Sequence, residues 1–302
     1  MKNVIGTIVL VLIHLLASGQ DLLDELDKVA KPKKAFAAAT FKSTRIINGH
    51  SVETIARNHL DFRIAHRFGM LNDGAYNFFG LDQATMRMSF EYGVTDKLML
   101  GFGRSTSQKA FDYFAKYKIV RQSSANGGIP VSITAFGAID AISLNTSPQF
   151  KFYNNMERLT YVGQLLIARK FGERLSMQLS PTFIHRNKVE TSADPNDIFA
   201  LGLGGRIKIS KRTSFNAEYF YRLPFSLEKG LQPNPAYHNS LSLGFDIETG
   251  GHVFQLHFTN SPGMIERQFI TQTEGQWGKG DVHYGFNISR TFSFDKKKKY
   301  EK

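Results

Sequence analysis

The sequence predicts an all-β chain: a transmembrane antiparallel up-and-down β-barrel of about 12 strands, with 14 as the alternative, behind a short N-terminal periplasmic helix and plug segment. Three observations predict it. The stretch 281–294 puts Val282, Tyr284, Phe286, Ile288, Phe292 and Phe294 on one side, with His283, Gly285, Asn287, Ser289, Thr291 and Ser293 on the other. That period of two marks a strand with one apolar and one polar face, long enough for a tilted crossing of roughly 9–11 residues. Comparable stretches recur along the chain, and their connections alternate between short and long, as in bacterial outer-membrane barrels.

The N-terminus sets the compartment. A basic start at Lys2, an apolar run from Val4 to Leu16 and the small residues Ala17 and Gly19 read as a signal peptide over 1–19. A leader over 20–55 follows. Within it Leu22, Leu26 and Val29 share a helical face, and Pro32 ends the pattern, so a short amphipathic periplasmic helix is expected. Residues 36–55 alternate poorly and turn at Asn48-Gly49.

The crossings are expected at 60–68, 85–94, 98–104, 110–121, 130–142, 157–171, 174–186, 198–209, 213–223, 239–249, 252–260 and 281–294. Their faces are distinct. Met86, Met88, Phe90 and Tyr92 oppose Arg87, Ser89 and Glu91, while Leu241, Leu243, Phe245 and Ile247 oppose Ser242, Asp246 and Glu248. Connections near 95–97, 172–174, 210–212 and 249–251 are short; those near 146–155, 188–196, 225–237 and 261–280 are long and rich in Pro, Gly and Asn. The barrel therefore occupies 56–295, with a basic tail over 296–302. If the short turns are periplasmic, both termini are too. Counting from residue 60 already gives an even number of crossings, so 36–55 is expected to fold into the lumen as a plug, carrying Arg45, Asn48, His50 and Glu53. Arg290, on the lipid face of the last strand, either snorkels to the interface or marks a bulge.

The segments 254–264 (Phe-Gln-Leu-His-Phe-Thr-Asn-Ser-Pro-Gly-Met), Gln276-Trp277-Gly278 and Phe286-Asn287-Ile288-Ser289-Arg290 resemble a family of uncharacterised Gram-negative outer-membrane β-barrel proteins. The stretch from Phe41 to Ser51 resembles that family's N-terminal segment, and the stretch from Phe62 to Gly69 its first clear strand. The resemblance implies fold and location over most of the mature chain, and brings no assigned activity.

Charge and motif content narrow the function. A net charge of +12 suits nucleic acid in a cytosolic chain, but export directs the charge elsewhere, and no nucleic-acid partner is expected. With no cysteine, a lipobox anchor, disulfides and covalent haem are excluded. The nine histidines form no HxH or HExxH pair, and no GxSxG elbow occurs. No catalytic residue, metal or cofactor is therefore assigned; His257 with Ser242 is the pair considered for a barrel hydrolase. The expected lumen lining is Asp61, Arg63, Arg67, Arg87, Glu91, Lys116, Lys118, Arg206, Lys208, Glu218, Arg222, Asp246, Glu248 and His257, a net-basic set. The 261–280 loop, with Met264, Glu266, Arg267, Phe269 and Trp277, is too apolar for a free loop and reads as a lid or constriction. The expectation is a channel or specialised conduit for small solutes, surrounded by outer-membrane lipid. The alternative is a non-transporting barrel that binds a periplasmic or outer-membrane protein through the N-terminal helix or the 261–280 loop.

Overall fold

A computed structural model describes residues 35–124, 128–147, 151–228 and 230–295. The expected signal segment, the helix at 20–34 and the tail after 295 lie outside the described residues. The strands are β1 (His59–Met70), β2 (Ala84–Gly93), β3 (Leu98–Ser105), β4 (Ala110–Val120), β5 (Ser132–Ile142), β6 (Leu159–Phe171), β7 (Leu175–Arg186), β8 (Asp197–Lys208), β9 (Thr213–Arg222), β10 (Ser240–Thr249), β11 (His252–Thr259) and β12 (His283–Ser293). Each pairs antiparallel with its sequence neighbours, and β12 returns to β1, so 12 strands close a barrel with no free edge. The 14-strand alternative is set aside.

Closure explains why an alternating sequence suffices. Each strand is paired along both sides around the ring, with register shifts only at Lys118–Val120 and His283–Gly285, and such closure is what a wall in lipid requires. Side chains then sort by parity. On β1 the odd-numbered Asp61, Arg63, Ala65 and Arg67 are buried; on β2 Arg87, Ser89 and Glu91 are buried while Met88, Phe90 and Tyr92 face out. The outer surface is an apolar band that includes Leu203, Phe245, Leu256 and Phe258. Cross-strand aromatic pairs knit it together, such as Phe62–Phe90 and Phe183–Phe199, each with centroids 5.1 Å apart. Polar inside and apolar outside is the inverse of a water-soluble protein and suits a wall in lipid.

Two features depart from the sequence pattern. The alternation of connections breaks around β4: the short link 106–109 lies at the long-loop end, and the long link 121–131 lies at the short-turn end. The latter has a use, because Ser123–Ser124 pairs with Ala35–Phe36 as the chain approaches the barrel. At the seam, the register shift lies between His283 and Gly285, and pairing runs unbroken from Gly285 to Ser293. Arg290 therefore stays on the outer face with no bulge beside it, its guanidinium 5.0 Å over the Phe292 ring.

Candidate functional site

The lumen is filled by two elements that come in from opposite ends. Residues 40–55 come from the short-turn end. They fold into a hairpin, with the Ile46 amide bonding the Gly49 carbonyl (2.9 Å) and the Ser51 amide the Thr44 carbonyl (2.9 Å), closed on an Arg45–His50 bridge. Gly49 sits at this tip for reasons of space: a Cβ there would lie 2.7 Å from the Phe220 ring.

A hairpin inside a barrel has backbone groups that no neighbouring strand satisfies, so wall side chains must. The Glu218 carboxylate on β9 accepts the Ile47, Asn48 and Gly49 amides at 3.1, 2.7 and 3.1 Å. Gln255 on β11 donates to the Ile46 carbonyl (2.9 Å), and Asn287 on β12 to that of Ile47 (3.1 Å). The Asn48 side chain donates to Ser242 on β10 (3.0 Å) and accepts from Arg67 on β1 (2.6 Å). The hairpin's other face is held as fully. Gln178 on β7 takes the Val52 amide and gives to the His50 carbonyl, both at 2.7 Å. Thr134 on β5 donates to the Val52 carbonyl (2.9 Å), and the Lys116 ammonium on β4 to that of Ser51 (2.6 Å). Arg63 reaches Ser43 and Thr44, and Thr44 donates to Glu91 on β2.

The second element comes from the long-loop end. The link between β11 and β12 carries α1 (Glu266–Thr271), every residue of which is buried. Asn260 fixes its base, accepting from the Leu241 amide (2.8 Å) and donating to the Asn239 and Gly275 carbonyls (3.0 and 2.9 Å). Gly275 cannot carry a side chain, since a Cβ would lie 2.4 Å from the Asn260 carbonyl oxygen. Trp277 donates from Nε1 to the Leu241 carbonyl at 2.9 Å. Asp281 accepts from the Asn72 side chain (2.6 Å) and the Gln276 amide (3.1 Å), and these bonds hold its carboxyl below the usual range.

The elements meet near mid-lumen through Phe220. Its ring packs edge-on against Phe269 of α1, centroids 5.1 Å apart, and also abuts Gly49 of the hairpin. Beside it the polar fit is loose. Glu266 Oε1 lies 3.8 Å from Arg45 and 3.9 Å from His50, beyond hydrogen-bond length, and both His50 ring nitrogens lack a partner among the described residues. His50 instead rests on the Phe114 and Phe136 rings, at 4.8 and 4.2 Å.

Of the charged residues expected in the lumen, Arg63, Arg67, Glu91, Lys116 and Glu218 touch the hairpin. Glu248 pairs with Lys42 at 2.9 Å, Asp61 with Arg63 at 3.3 Å, and Asp246 accepts from Gln255 at 2.9 Å. Arg206 bonds Ser214. Lys118, Lys208 and Arg222 sit half-buried towards the barrel ends. His257 is buried, but its ring makes no bond to Ser242, whose hydroxyl bonds Thr259 (2.9 Å); the nucleophile–base pair considered for a hydrolase is not assembled. Among expected plug residues, Glu53 accepts the Thr40 amide at 2.8 Å. The sequence reading passed over Asp112, which pairs with Arg87 (2.9 Å), and buried Asp140. These two acids reduce the basic surplus. The expected lumen set also left out the neutral anchors Thr134, Gln178, Gln255 and Asn287, although Gln255 and Asn287 stand on the polar faces of their strands. Among the described residues no group of three His, Asp or Glu side chains is placed to hold a metal ion.

A comparison with curated proteins gives no match. Among solved structures, the chain is similar to an outer membrane channel from Pseudomonas putida F1, at 11% identity and TM-score 0.51, over 80% of this chain and 97% of that one. It is also similar to the NanC porin (10% identity, TM-score 0.47, 78% and 100% of the two chains) and the KdgM porin (10%, 0.45, 78% and 99%). At such identities the likeness concerns the fold. The profile of the family described as "Membrane bound beta barrel domain (DUF5777)" matches residues 41–292, so it takes in the luminal hairpin together with the barrel wall. With most of its length matched, the chain belongs to this family of membrane-bound β-barrel domains.

Proposed function

We propose that the chain forms a gated outer-membrane channel for small polar solutes, closed in the described state. Both termini and the short turns then face the periplasm, and the long loops face outward. The observation that carries this reading is the manner in which the lumen is filled. A barrel meant only to be sealed can close on its own wall side chains. Here two tethered backbone elements fill the lumen from opposite ends, and much of the hairpin's hold is polar. Water can replace such bonds when an element leaves, so each contributes only about 1 kcal/mol net. Beneath the hairpin lies a wall of Arg, Lys, Glu, Gln and Asn, a surface a hydrated solute can follow.

Planar-bilayer recording of the full-length protein and of a deletion of residues 20–55 tests the proposal. Rare openings from the first and frequent openings from the second are expected. Silence from both would sink it and favour the partner-binding barrel. Reversal potentials in a salt gradient would then report the sign of the lumen, where anion preference is expected because the charges that the hairpin covers, Arg63, Arg67 and Lys116 against Glu91 and Glu218, leave a positive surplus.

A further inference from the structure

Above α1, at the long-loop end, the barrel mouth encloses a cavity of about 600 Å3. Two buried arginines line it. Arg267, on α1, is 2% exposed; its Nη1 donates to Gln272 at 2.8 Å, while Nε and Nη2 have no partner among the described residues. Arg186, at the end of β7, is 4% exposed; its Nη2 donates to the Pro195 carbonyl at 2.7 Å, and its Nε has no partner. Guanidinium donors out of bulk water without acceptors are costly; Arg45, Arg63, Arg67 and Arg222 have them too, but of the six only Arg186 and Arg267 line this cavity.

Nearby acids do not meet the need. Glu157 is engaged by Lys188 at 3.0 Å, and Glu190 accepts from Tyr237 and from Gln272 (3.3 Å). Asp140 is buried with both oxygens unpartnered; its charge acts on Arg267, but no hydrogen bond joins the two.

We infer that this cavity is a binding site for a small organic carboxylate, held by the guanidinium groups of Arg267 and Arg186. A planar guanidinium presents paired N–H groups at the spacing of two carboxylate oxygens. Arg186, Arg267, Lys151 and Lys188 line the cavity against Glu157, Glu190 and Glu274, a small positive surplus that a single negative charge matches better than the near-double charge of a phosphate. Gln268, Gln272 and Ser107 line the same space and suit the hydroxyls of a sugar-acid-sized solute. The volume falls within the range of small-molecule sites. Because Arg267 is carried by α1, a bound carboxylate would touch the element that fills the upper lumen. Its part in solute uptake rests on the channel reading; its binding does not.

Calorimetry on full-length protein in detergent, with gluconate, glucose and inorganic phosphate as probes, tests the site. Gluconate should bind and glucose should not, with phosphate at least tenfold weaker than gluconate. R267Q and R186Q should each weaken gluconate at least tenfold, whereas K97Q, at the opposite end, should change nothing. Heat-modifiable migration on gels checks that every variant is a folded barrel, and R186Q, on the wall, serves if R267Q disturbs α1. Unchanged gluconate affinity in the folded arginine variants, or equal affinity for glucose or phosphate, would overturn the assignment. Gluconate binding to a barrel that is silent in bilayers would defeat the channel reading and leave the site. Conductance without gluconate binding would do the reverse.

Discussion

Replacing Glu218 by alanine removes the one acceptor shared by three consecutive amides at the hairpin tip, those of Ile47, Asn48 and Gly49. An orphaned buried donor costs about 1–3 kcal/mol. The space left by the side chain can admit water, so the low end applies, and three donors together lose roughly 3 kcal/mol of docking free energy. At about 1.4 kcal/mol per tenfold, that is roughly a hundredfold rise in the undocked population. The barrel should survive, because the β9 ladder uses only backbone groups at Glu218. The assay is amide exchange followed by mass spectrometry. Peptides covering 44–52 should exchange about a hundredfold faster in Glu218→Ala, while those from β4 to β8 keep wild-type protection. If the 44–52 amides stay equally slow, the hairpin is not anchored by this carboxylate, and the account of how the lumen is held fails.

Other perturbations probe the remaining links. Phe220→Ala removes the ring that touches both inserted elements, a change of about 3–5 kcal/mol for a buried aromatic; exchange should quicken in both 44–52 and 264–272, and a change confined to one would contradict the shared contact. Leu243→Arg puts a charge on the lipid face and should destabilise the folded barrel by about 2–4 kcal/mol if it lies near the midplane; wild-type yield of the heat-modifiable form would place that face elsewhere. Gly93→Ala would bring a Cβ within 2.0 Å of the Ala56 carbonyl oxygen, where the chain leaves the lumen for β1, so protease cleavage around 55–58 should increase. Burial, with the adjacent Glu190 carboxylate, pushes the Tyr237 hydroxyl above its ordinary value. A raised folded value favours the neutral form, so its contribution is complete below pH of about 10 and lost as pH rises beyond it. Ultraviolet titration should lose part of its late phenolate step in Tyr237→Phe; an unchanged late step would remove this contribution.

The barrel wall was legible because lipid on one side and a wet lumen on the other impose opposite rules on alternate residues. Strand limits read from alternation fall within a few residues of those observed: 60–68 against His59–Met70, and 213–223 against Thr213–Arg222. The lumen's contents were legible only in outline. Parity placed 36–55 inside, but nothing local says that its amides seek Glu218, because that match is made by the tertiary fold. The omissions have a physical origin as well. On β5 the inward Thr134 and Asp140 are separated by Phe136 and Ala138, against the outward Ile133, Ala135, Gly137 and Ile139, so the contrast that marks a face is lost in the middle of the strand. It is lost there because this part of the wall packs against an insert: Met99, Phe114, Phe136, Val162, Leu166, Ile184 and Phe220 form one cluster with Phe269 and Ile270. Aromatic residues at wet-face positions were thus the signal, available in sequence, that the lumen is occupied.

Contact of both inserts with Phe220 has a consequence for how such a barrel would respond to its surroundings. Two obstructions in series amount to a conjunction: transit requires both to be out at once, and for independent parts that fraction is the product of two small numbers. A shared ring makes them dependent. Once either insert leaves, Phe220 loses part of its packing, and the other is held less tightly by the same amount whichever goes first, since coupling free energy is reciprocal. An event at one face of the membrane would thereby lower the threshold for an event at the other, and the barrel would answer to coincidence more than to either stimulus alone.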